Sequence, residues 1–210
     1  MHRFWRGSRG KKMNFEKFSQ RKKQILLKKD KSHQGEWDEK ISSLCRKINN
    51  LKDYYTTSSC SSRAVLMIDQ EKKASNLFFN VYHDALSLSK LKKDILDIVN
   101  SRKLSKKNIK FKQEPCILHV ACSFLGAAEK LLSKAKKAGW KKSGIIAFGK
   151  NIILELNSTE RLEFPVVEKG KILVNDSLLR VVVRDTNAKL KRNWEKIKKL
   201  EREIKIIGQF

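Results

Sequence analysis

The chain has 210 residues, 40% of them hydrophobic, which is enough for one sizeable core and excludes a wholly disordered protein. Lys and Arg number 48 against 22 Asp and Glu, so the formal net charge is +26. This excess predicts a polyanionic partner, with nucleic acid ahead of an anionic membrane surface. No run of about 18 apolar residues occurs, which excludes a helix that spans a membrane.

Other absences narrow the class of protein. The four cysteines form no CxxC pair, so we expect no zinc site and no other metal. The chain also lacks the GxGxxG, P-loop and GxSxG motifs of common nucleotide and hydrolase sites. The first residues contain no apolar segment typical of a secretory signal, so we expect a cytoplasmic protein with reduced thiols. Nothing in the sequence indicates an obligate protein partner.

The N-terminal half predicts three helices and two strands. Residues 1–32 hold twelve Lys and Arg against two acids, which predicts a basic extension with a disordered tip and a short helix. We place the main domain at 33–208. Apolar residues spaced by three and four predict an amphipathic helix from Glu36 to Leu51. The remaining elements are strands from Ala64 to Ile68 and from Leu77 to Tyr82, a helix from Leu86 to Val99 and a basic loop over 101–112.

The C-terminal half begins with a buried strand, Ile117 to Cys122 (ILHVAC). Ser123 is placed to cap the helix that follows, and Gly139 to end it. Apolar spacing from Asp176 to Ile207 predicts one long helix whose other face carries Lys and Arg. The turns of two predicted hairpins are Gly149-Lys150 and 168–171. Together the elements predict an α+β fold, a single compact domain with a mixed β-sheet, flanking helices and a long C-terminal helix.

The segment YYTTSSCSSR, Tyr54 to Arg63, joins a predicted helix to a predicted strand. One interpretation is a polar loop whose hydroxyls bind their own backbone. The other is a ligand cradle, in which hydroxyls and amides of Ser58 to Ser61 hold a carboxylate, phosphate or ribose and Arg63 adds a bidentate contact. Tyr54 or Tyr55 would then stack on a base.

His119 lies within the predicted strand ILHVAC. It is either a core histidine with satisfied ring nitrogens or a proton acceptor that faces a pocket. His83, in a Tyr-His pair, is a second candidate. From the residues alone, we interpret Cys60 and Cys122 as small core side chains.

The basic segments allow two interpretations of the partner. A Lys-rich helix face is commonly just solvated, but several such segments without an offsetting acidic block predict phosphate contacts. Charge does not distinguish RNA from DNA. A non-catalytic RNA- or DNA-binding protein is therefore the alternative to an enzyme.

Nine short segments carry a family resemblance. They are GEWDEKI (Gly35–Ile41), IN…YYTTSSCSSR (Ile48–Arg63), YH (Tyr82-His83), EPCILHVAC (Glu114–Cys122), GAAEKLL (Gly126–Leu132), SGII (Ser143–Ile146), LNSTER (Leu156–Arg161), KILV (Lys171–Val174) and TNAKL (Thr186–Leu190). In this order they resemble the tRNA wybutosine-synthesizing protein three family, in its archaeal stand-alone form, from about Phe15 to Ile207. The most specific part is TSSCS followed by HVAC.

The resemblance implies an S-adenosylmethionine-dependent methyltransferase without the Rossmann-type fold. The implied reaction is methylation of N4 of a tricyclic wyosine precursor, a 4-demethylwyosine derivative, at position 37 of phenylalanine tRNA, in wybutosine biosynthesis. The implied partner is the anticodon arm of that tRNA. We expect His119 to remove the N4 proton. Expected cofactor contacts are Ser58, Ser59, Cys60, Ser61, Arg63, Ala121 and Cys122, and expected substrate contacts are Tyr54, Tyr55, His83, Glu155, Glu160, Asn187 and Lys189.

A few positions depart from the family pattern. Ser62 stands where the family has glycine, and because a side chain disfavours positive φ we expect it to affect the turn before Arg63. Cys116 replaces a proline, and the Ser123-Phe124 pair replaces a charged pair.

Overall fold

The computed structural model describes residues 6–27, 38–70, 77–101, 107–149 and 151–207, with the backbone alone for 6–14 and 206–207. Five helices and nine strands lie within these residues. They are α1 (Arg6–Leu27), α2 (Glu39–Asn50), β1 (Tyr54–Cys60), β2 (Arg63–Ile68), β3 (Phe78–Tyr82), α3 (Leu88–Asn100), β4 (Ile109–Glu114), β5 (Ile117–Cys122), α4 (Leu125–Lys137), β6 (Gly144–Phe148), β7 (Ile152–Asn157), β8 (Leu162–Glu168), β9 (Lys171–Ile172) and α5 (Asp176–Ile207).

The strands form two sheets. A four-stranded sheet has the order β1-β5-β7-β6, and a five-stranded sheet has the order β3-β2-β4-β8-β9. Every pairing is antiparallel. The α+β class and the long C-terminal helix are therefore confirmed, but the sheet organisation differs from the single mixed sheet that we predicted. Alternation of apolar residues indicates a strand without identifying its neighbour or their relative direction, so the sequence left the pairing open.

The described chain divides into two compact units. The first contains residues up to Cys60, Ile117–Ser158 and the last part of α5 from Lys196. The second contains Ser61–Cys116 and Thr159–Glu195. The predicted boundary between an N-terminal extension and a main domain at residue 33 stays a prediction, and residues 28–32 lie outside the described ones.

The first unit is built on both faces of the four-stranded sheet. Tyr55, Ala121 and Ile153 are paired across β1, β5 and β7, and they lie against α1. Tyr54 belongs to the opposite face, where its hydroxyl donates to the carbonyl of Ala127 in α4 at 2.9 Å. One face is thus partly covered by α1, and the other by α4. The strand β6 lies at the edge of this sheet.

The second unit packs α3 and the first part of α5 with the five-stranded sheet. Leu66 of β2 and Phe111 of β4 are fully buried and share a core with Leu91 and Ile95 of α3. The buried positions of α3 are three and four residues apart in the sequence, so they lie on one face of the helix and can pack together on the sheet. This core fixes the strands that carry Arg63 and its neighbours.

Most local predictions are confirmed. Helices α2, α3, α4 and α5, strands β2, β3 and β5, and the two hairpins lie where the sequence placed them. Gly139, at φ +96°, follows the end of α4 as predicted. Among the described residues, no helix has both the length and the apolar character needed to cross a membrane.

Three local predictions are wrong or incomplete. The segment Tyr54–Cys60 is a strand rather than a polar loop, because its hydroxyl-bearing residues pair along β5. Strand β4 includes 109–112, which we had assigned to a basic loop, whereas 102–106 lie outside the described residues. Ser123 does not cap α4, because its hydroxyl donates to Asp53 at 2.8 Å instead.

Candidate active site

Three polar side chains form a continuous row across the α1 face of the four-stranded sheet. The Ser58 hydroxyl lies 2.6 Å from Nδ1 of His119. On the other side of the ring, Nε2 lies 3.0 Å from Oε2 of Glu155. The His119 and Glu155 side chains are 28% and 31% exposed, and Ser58 is exposed, so the row is accessible to a ligand. We call these three residues the polar row.

A β-bulge creates this arrangement. In an undisturbed strand, Tyr55 and Ser58 would point to opposite faces because they are three residues apart. The register of β1 against β5 shifts between Thr56 and Ser58, which places Ser58 opposite His119. The extra residue therefore turns the Ser58 side chain onto the face that also carries Tyr55.

The hydrogen bonds determine the tautomer of His119. An ionised carboxylate only accepts hydrogen bonds, so Nε2 carries the proton that it donates to Glu155. In the neutral ring Nδ1 is then an acceptor, and the Ser58 hydroxyl donates to it. The second oxygen of Glu155, Oε1, accepts from the side-chain amide of Asn157 at 3.3 Å, and this bond orients the carboxylate.

The two tyrosines of β1 are part of the core rather than of an open surface. Tyr54 and Tyr55 are only 3% and 1% exposed. The ring of Tyr55 packs against Phe18 of α1, with 5.1 Å between ring centroids, and its hydroxyl accepts from Asn151 at 3.2 Å. Stacking on a base requires an exposed ring face, so the structure does not support the role that we expected for this pair.

The β5 residues expected at the cofactor are also buried. Ala121 lies in the cluster under α1. Cys122 is buried, and its burial raises the pKa of its thiol to about 12, with a further contribution from Asp53. Cys122 is therefore a neutral thiol at physiological pH, which agrees with a small core side chain.

Arg63 lies on β2 in the second unit and already has a carboxylate partner. Its Nε donates to Oε2 of Glu114 at 2.7 Å, and its guanidinium lies 4.8 Å from the ring centroid of Phe78. Burial alone would raise the pKa of Glu114, but Arg63 and Lys112 offset this and hold that pKa below its ordinary value. The pair is thus an ionised, partly buried salt bridge.

Comparisons with known proteins show what kind of protein has this arrangement. A family model described as Methyltransferase TYW3 matches residues 15–206. The chain belongs to the Methyltransferase TYW3 family. The resemblance seen in the sequence is thereby confirmed.

Individual relatives cover nearly the whole chain. A protein of Archaeoglobus fulgidus is 37% identical over 91% of this chain and 94% of its own length, and it is named tRNA(Phe) 7-((3-amino-3-carboxypropyl)-4-demethylwyosine(37)-N(4))-methyltransferase. A Xenopus laevis relative, named tRNA wybutosine-synthesizing protein 3 homolog, is 35% identical over 87% of this chain and 72% of its own. The solved structure of the PH1069 protein from Pyrococcus horikoshii superposes with a TM-score of 0.82 at 33% identity, covering 93% of this chain and 98% of that one.

The expected cofactor contacts of this TYW3 chain do not lie in one unit. Ser58, Ser59 and Cys60 belong to the first unit, where they pair with β5, whereas Ser61 and Arg63 belong to the second. Ser61 is fully buried. In place of the expected cradle of successive loop amides, Ser58, Ser59 and Cys60 lie in a strand that pairs with β5.

Four of the expected substrate contacts lie in the second unit, and two of them, Asn187 and Glu160, are hydrogen-bonded to neighbouring residues. Both ends of the Asn187 amide bond the backbone of Leu86, at 2.8 and 2.9 Å. Glu160 accepts from Nε of Arg192 at 2.9 Å. His83 is exposed and Lys189 is half-buried. The bonds of Asn187 show it fixing the start of α3, and the substrate roles of these residues stay predictions.

Sequence reasoning missed a rigid turn beside the polar row. Trp140 is fully buried, and its indole donates to the carbonyl of Lys196 at 3.1 Å. The Ser143 hydroxyl donates to the backbone carbonyl of Trp140 at 2.6 Å and accepts from the backbone N–H of Asn157 at 2.9 Å. This turn leads into Gly144, which pairs with Glu155. The SGII segment was noticed as a family motif, but no periodicity in it indicates a turn.

Proposed function

We propose that this chain methylates N4 of a 4-demethylwyosine-type base at position 37 of phenylalanine tRNA, with S-adenosylmethionine as the methyl donor. The observation that carries the proposal is the activity for which relatives are named that align over nearly their full length, at 37% identity for the Archaeoglobus fulgidus protein. Such a tRNA is a cytoplasmic substrate, so we also propose that the protein acts in the cytoplasm.

The reaction replaces N4–H by N4–CH3, so a proton has to leave the base. S-adenosylmethionine, when bound, supplies an electrophilic methyl group on a positively charged sulfur. The enzyme has to align the ring nitrogen, exclude water and accept the proton. In this proposal the polar row contains the proton acceptor, His119.

The side chains of the first unit fit part of the methyl donor. The Ser58 hydroxyl and the Glu155 carboxylate, which share the α1 face of the sheet, can bond ribose hydroxyls or an ammonium group. Arg63 belongs to the second unit, where its Nε is bonded to Glu114, and its expected contact with the donor's carboxylate stays a prediction from the sequence.

We assign an RNA contact to the turn that precedes β6. Lys141 and Lys142 are both exposed, and among the residues that the structure describes neither has an ion-pair partner. The turn is held by Trp140 and by the amide of Lys142, which donates to the carbonyl of Asn157 at 3.0 Å. Two lysines on a fixed turn next to the polar row suit the phosphates that flank a base in an anticodon loop.

A charge-matched pair of variants tests this contact. In Lys141→Gln/Lys142→Gln, we expect tRNA binding about tenfold weaker at physiological salt and a slope of log affinity against log salt that is smaller by about 1.5. The control is Lys169→Gln/Lys171→Gln, which removes the same charge from another exposed turn. Filter-binding titrations measure both double variants. If they weaken tRNA binding equally, the effect comes from net charge alone and the assignment of an RNA contact to this turn is wrong.

The decisive experiment for the function is mass analysis of tRNA nucleosides after reaction. With S-adenosylmethionine and phenylalanine tRNA that carries the tricyclic precursor, we expect one added methyl group on that base. The same tRNA with unmodified guanosine at position 37 is the control and is expected to stay unmethylated. Salt-sensitive tRNA binding with no methyl transfer on either tRNA would favour the non-catalytic alternative.

A further inference from the structure

We infer that Ser58 is the residue that contacts the N4–H of the base, and that Ser58, His119 and Glu155 form a proton relay. This inference rests on the proposed function and makes it more specific. It differs from direct proton abstraction by His119, and it moves Ser58 from the cofactor to the substrate.

Both ring nitrogens of His119 already have partners within the row. Nδ1 accepts from Ser58 at 2.6 Å, and Nε2 donates to Glu155 at 3.0 Å. A substrate N–H therefore finds no unused lone pair on the imidazole. The Ser58 oxygen, in contrast, still has acceptor capacity after it donates its proton, and Ser58 is exposed.

The space beside the row is open on the β6 side. Gly144 pairs with Glu155, and a Cβ added at Gly144 would meet no other atom within 4 Å. On the α1 side the sheet is covered by Phe18. A planar base can thus approach the row over β6, where no side chain projects from Gly144.

The proposed step conserves atoms and charge. The N4–CH3 bond forms as the methyl group leaves the sulfonium sulfur of the donor, which keeps the electron pair and becomes a neutral thioether. The N4–H bond breaks, and the proton passes to the oxygen of Ser58 while the hydroxyl proton of Ser58 passes to Nδ1 of His119. The imidazole becomes imidazolium, and its Nε2–H stays hydrogen-bonded to the ionised Glu155, which stabilises the new charge. Proton release to solvent from the exposed ring restores the row.

The groups around His119 are few among the described residues. On β7 it faces Glu155, which is oriented by Asn157. On β1 it faces Ser58, and the hydroxyl of Thr57 lies 3.5 Å from the His119 carbonyl. Glu155 is thus the charged side chain in direct contact with the ring.

The first test removes or keeps the Ser58 hydroxyl. In single-turnover reactions we expect Ser58→Ala to slow methyl transfer about 10²-fold and Ser58→Thr to recover at least about tenfold of that loss. Thr57→Ala, which removes the neighbouring exposed hydroxyl, is the matched control and should stay within about twofold of the wild type. If Ser58→Ala reacts at the wild-type rate, or if Ser58→Thr is as slow as Ser58→Ala, the relay is wrong.

The second test examines Glu155 as a positioning residue. Without any substrate, nitrogen-15 NMR of the ring should show His119 with the proton on Nε2. In Glu155→Gln the side-chain amide can donate as well as accept, so the ring should no longer be confined to that tautomer and the nitrogen-15 signals should shift towards a mixture of both. Single-turnover methyl transfer should slow about tenfold in the same variant, because the imidazolium loses its negative partner.

The outcomes separate this inference from the function on which it rests. If the wild-type enzyme fails to methylate the precursor tRNA, the proposed function fails. If the wild type is active but Glu155→Gln changes the His119 tautomer without slowing methyl transfer, the polar row is only a structural hydrogen-bond network and the relay is overturned.

Discussion

Ser62 has a backbone conformation that a side chain disfavours, yet it is fully buried. Its φ is +106°, in the left-handed region that favours glycine. Its hydroxyl compensates by donating to the carbonyl of Glu114 at 2.6 Å and accepting from Gln113 at 2.7 Å and Asn193 at 2.9 Å. Backbone strain is here offset by three hydrogen bonds, all of which depend on the single hydroxyl of Ser62.

This balance predicts an order of stability. Ser62→Ala keeps the strain and leaves buried amide groups without their partner, so we expect a loss of about 3 kcal/mol. Ser62→Gly loses the same hydrogen bonds but relieves the strain, so it should be about 1 kcal/mol more stable than Ser62→Ala. Urea unfolding of the three proteins measures the order. An alanine variant as stable as the glycine variant would show that φ at this position carries no strain.

At the scale of single residues, the sequence draws attention to residue types but does not give their geometry. His119 was singled out because it interrupts an apolar strand, and the serines because of their density. Which serine faces His119 depends on the bulge after Thr56, and no residue type there requires a bulge. The burial of Tyr55 likewise depends on Phe18, which is distant in sequence. Such contacts are set by packing between elements and lie beyond local patterns.

At the scale of elements, helix α1 is attached to the sheet through a few side chains, among them Phe18 and the partly buried Ile25. Phe18 is 4% exposed and packs on Tyr55, and the ammonium of Lys22 donates to the carbonyl of Leu51 at 2.6 Å. The other described side chains of α1 are mostly exposed, and they include apolar as well as basic residues. Its attachment therefore depends on few side chains.

Substitution of Phe18 should release α1. We expect Phe18→Ala to cost about 3 kcal/mol and to raise the rate of tryptic cleavage within α1 about 10²-fold, because cleavage follows the population of the opened helix. The control is Phe15→Ala on the same helix, where the ring is 40% exposed and the expected change is under about 0.5 kcal/mol. Equal cleavage rates for the two variants would mean that Phe18 does not anchor α1.

Helices were easier to predict than sheet organisation. In α5 the apolar residues recur every three or four positions, and the predicted bounds agree with the observed helix. The strand β1 is not predictable from its sequence, because Thr and Ser lack the apolar alternation of a half-buried strand. Two of its residues, Thr57 and Ser58, are exposed. Its pairing with β5 joins residues about sixty positions apart in the sequence, and local propensity gives no information on such distant pairings.

At the scale of the whole molecule, the net charge of +26 has opposite effects on folding and on binding. Self-repulsion destabilises the compact state and is screened by salt, whereas phosphate contacts weaken as salt rises. Between about 50 mM and about 200 mM NaCl we therefore expect the melting temperature to rise while tRNA affinity falls by at least about tenfold. Thermal unfolding and filter binding in the same buffers measure both trends. A melting temperature that falls with salt would indicate that attractive ion pairs dominate instead.

The outer strand β6 has a consequence for how the protein behaves in concentrated solution. Ile145, Ile146 and Phe148 are exposed on it, Phe148 at 74%, and its outer backbone edge lies at the end of the sheet. An exposed apolar edge strand favours pairing with the same strand of a second copy. Electrostatic repulsion between two highly cationic molecules opposes this association. Solubility should therefore be lowest where polyanions neutralise the surface at substoichiometric ratios, and samples for spectroscopy are best prepared either free of RNA or saturated with it.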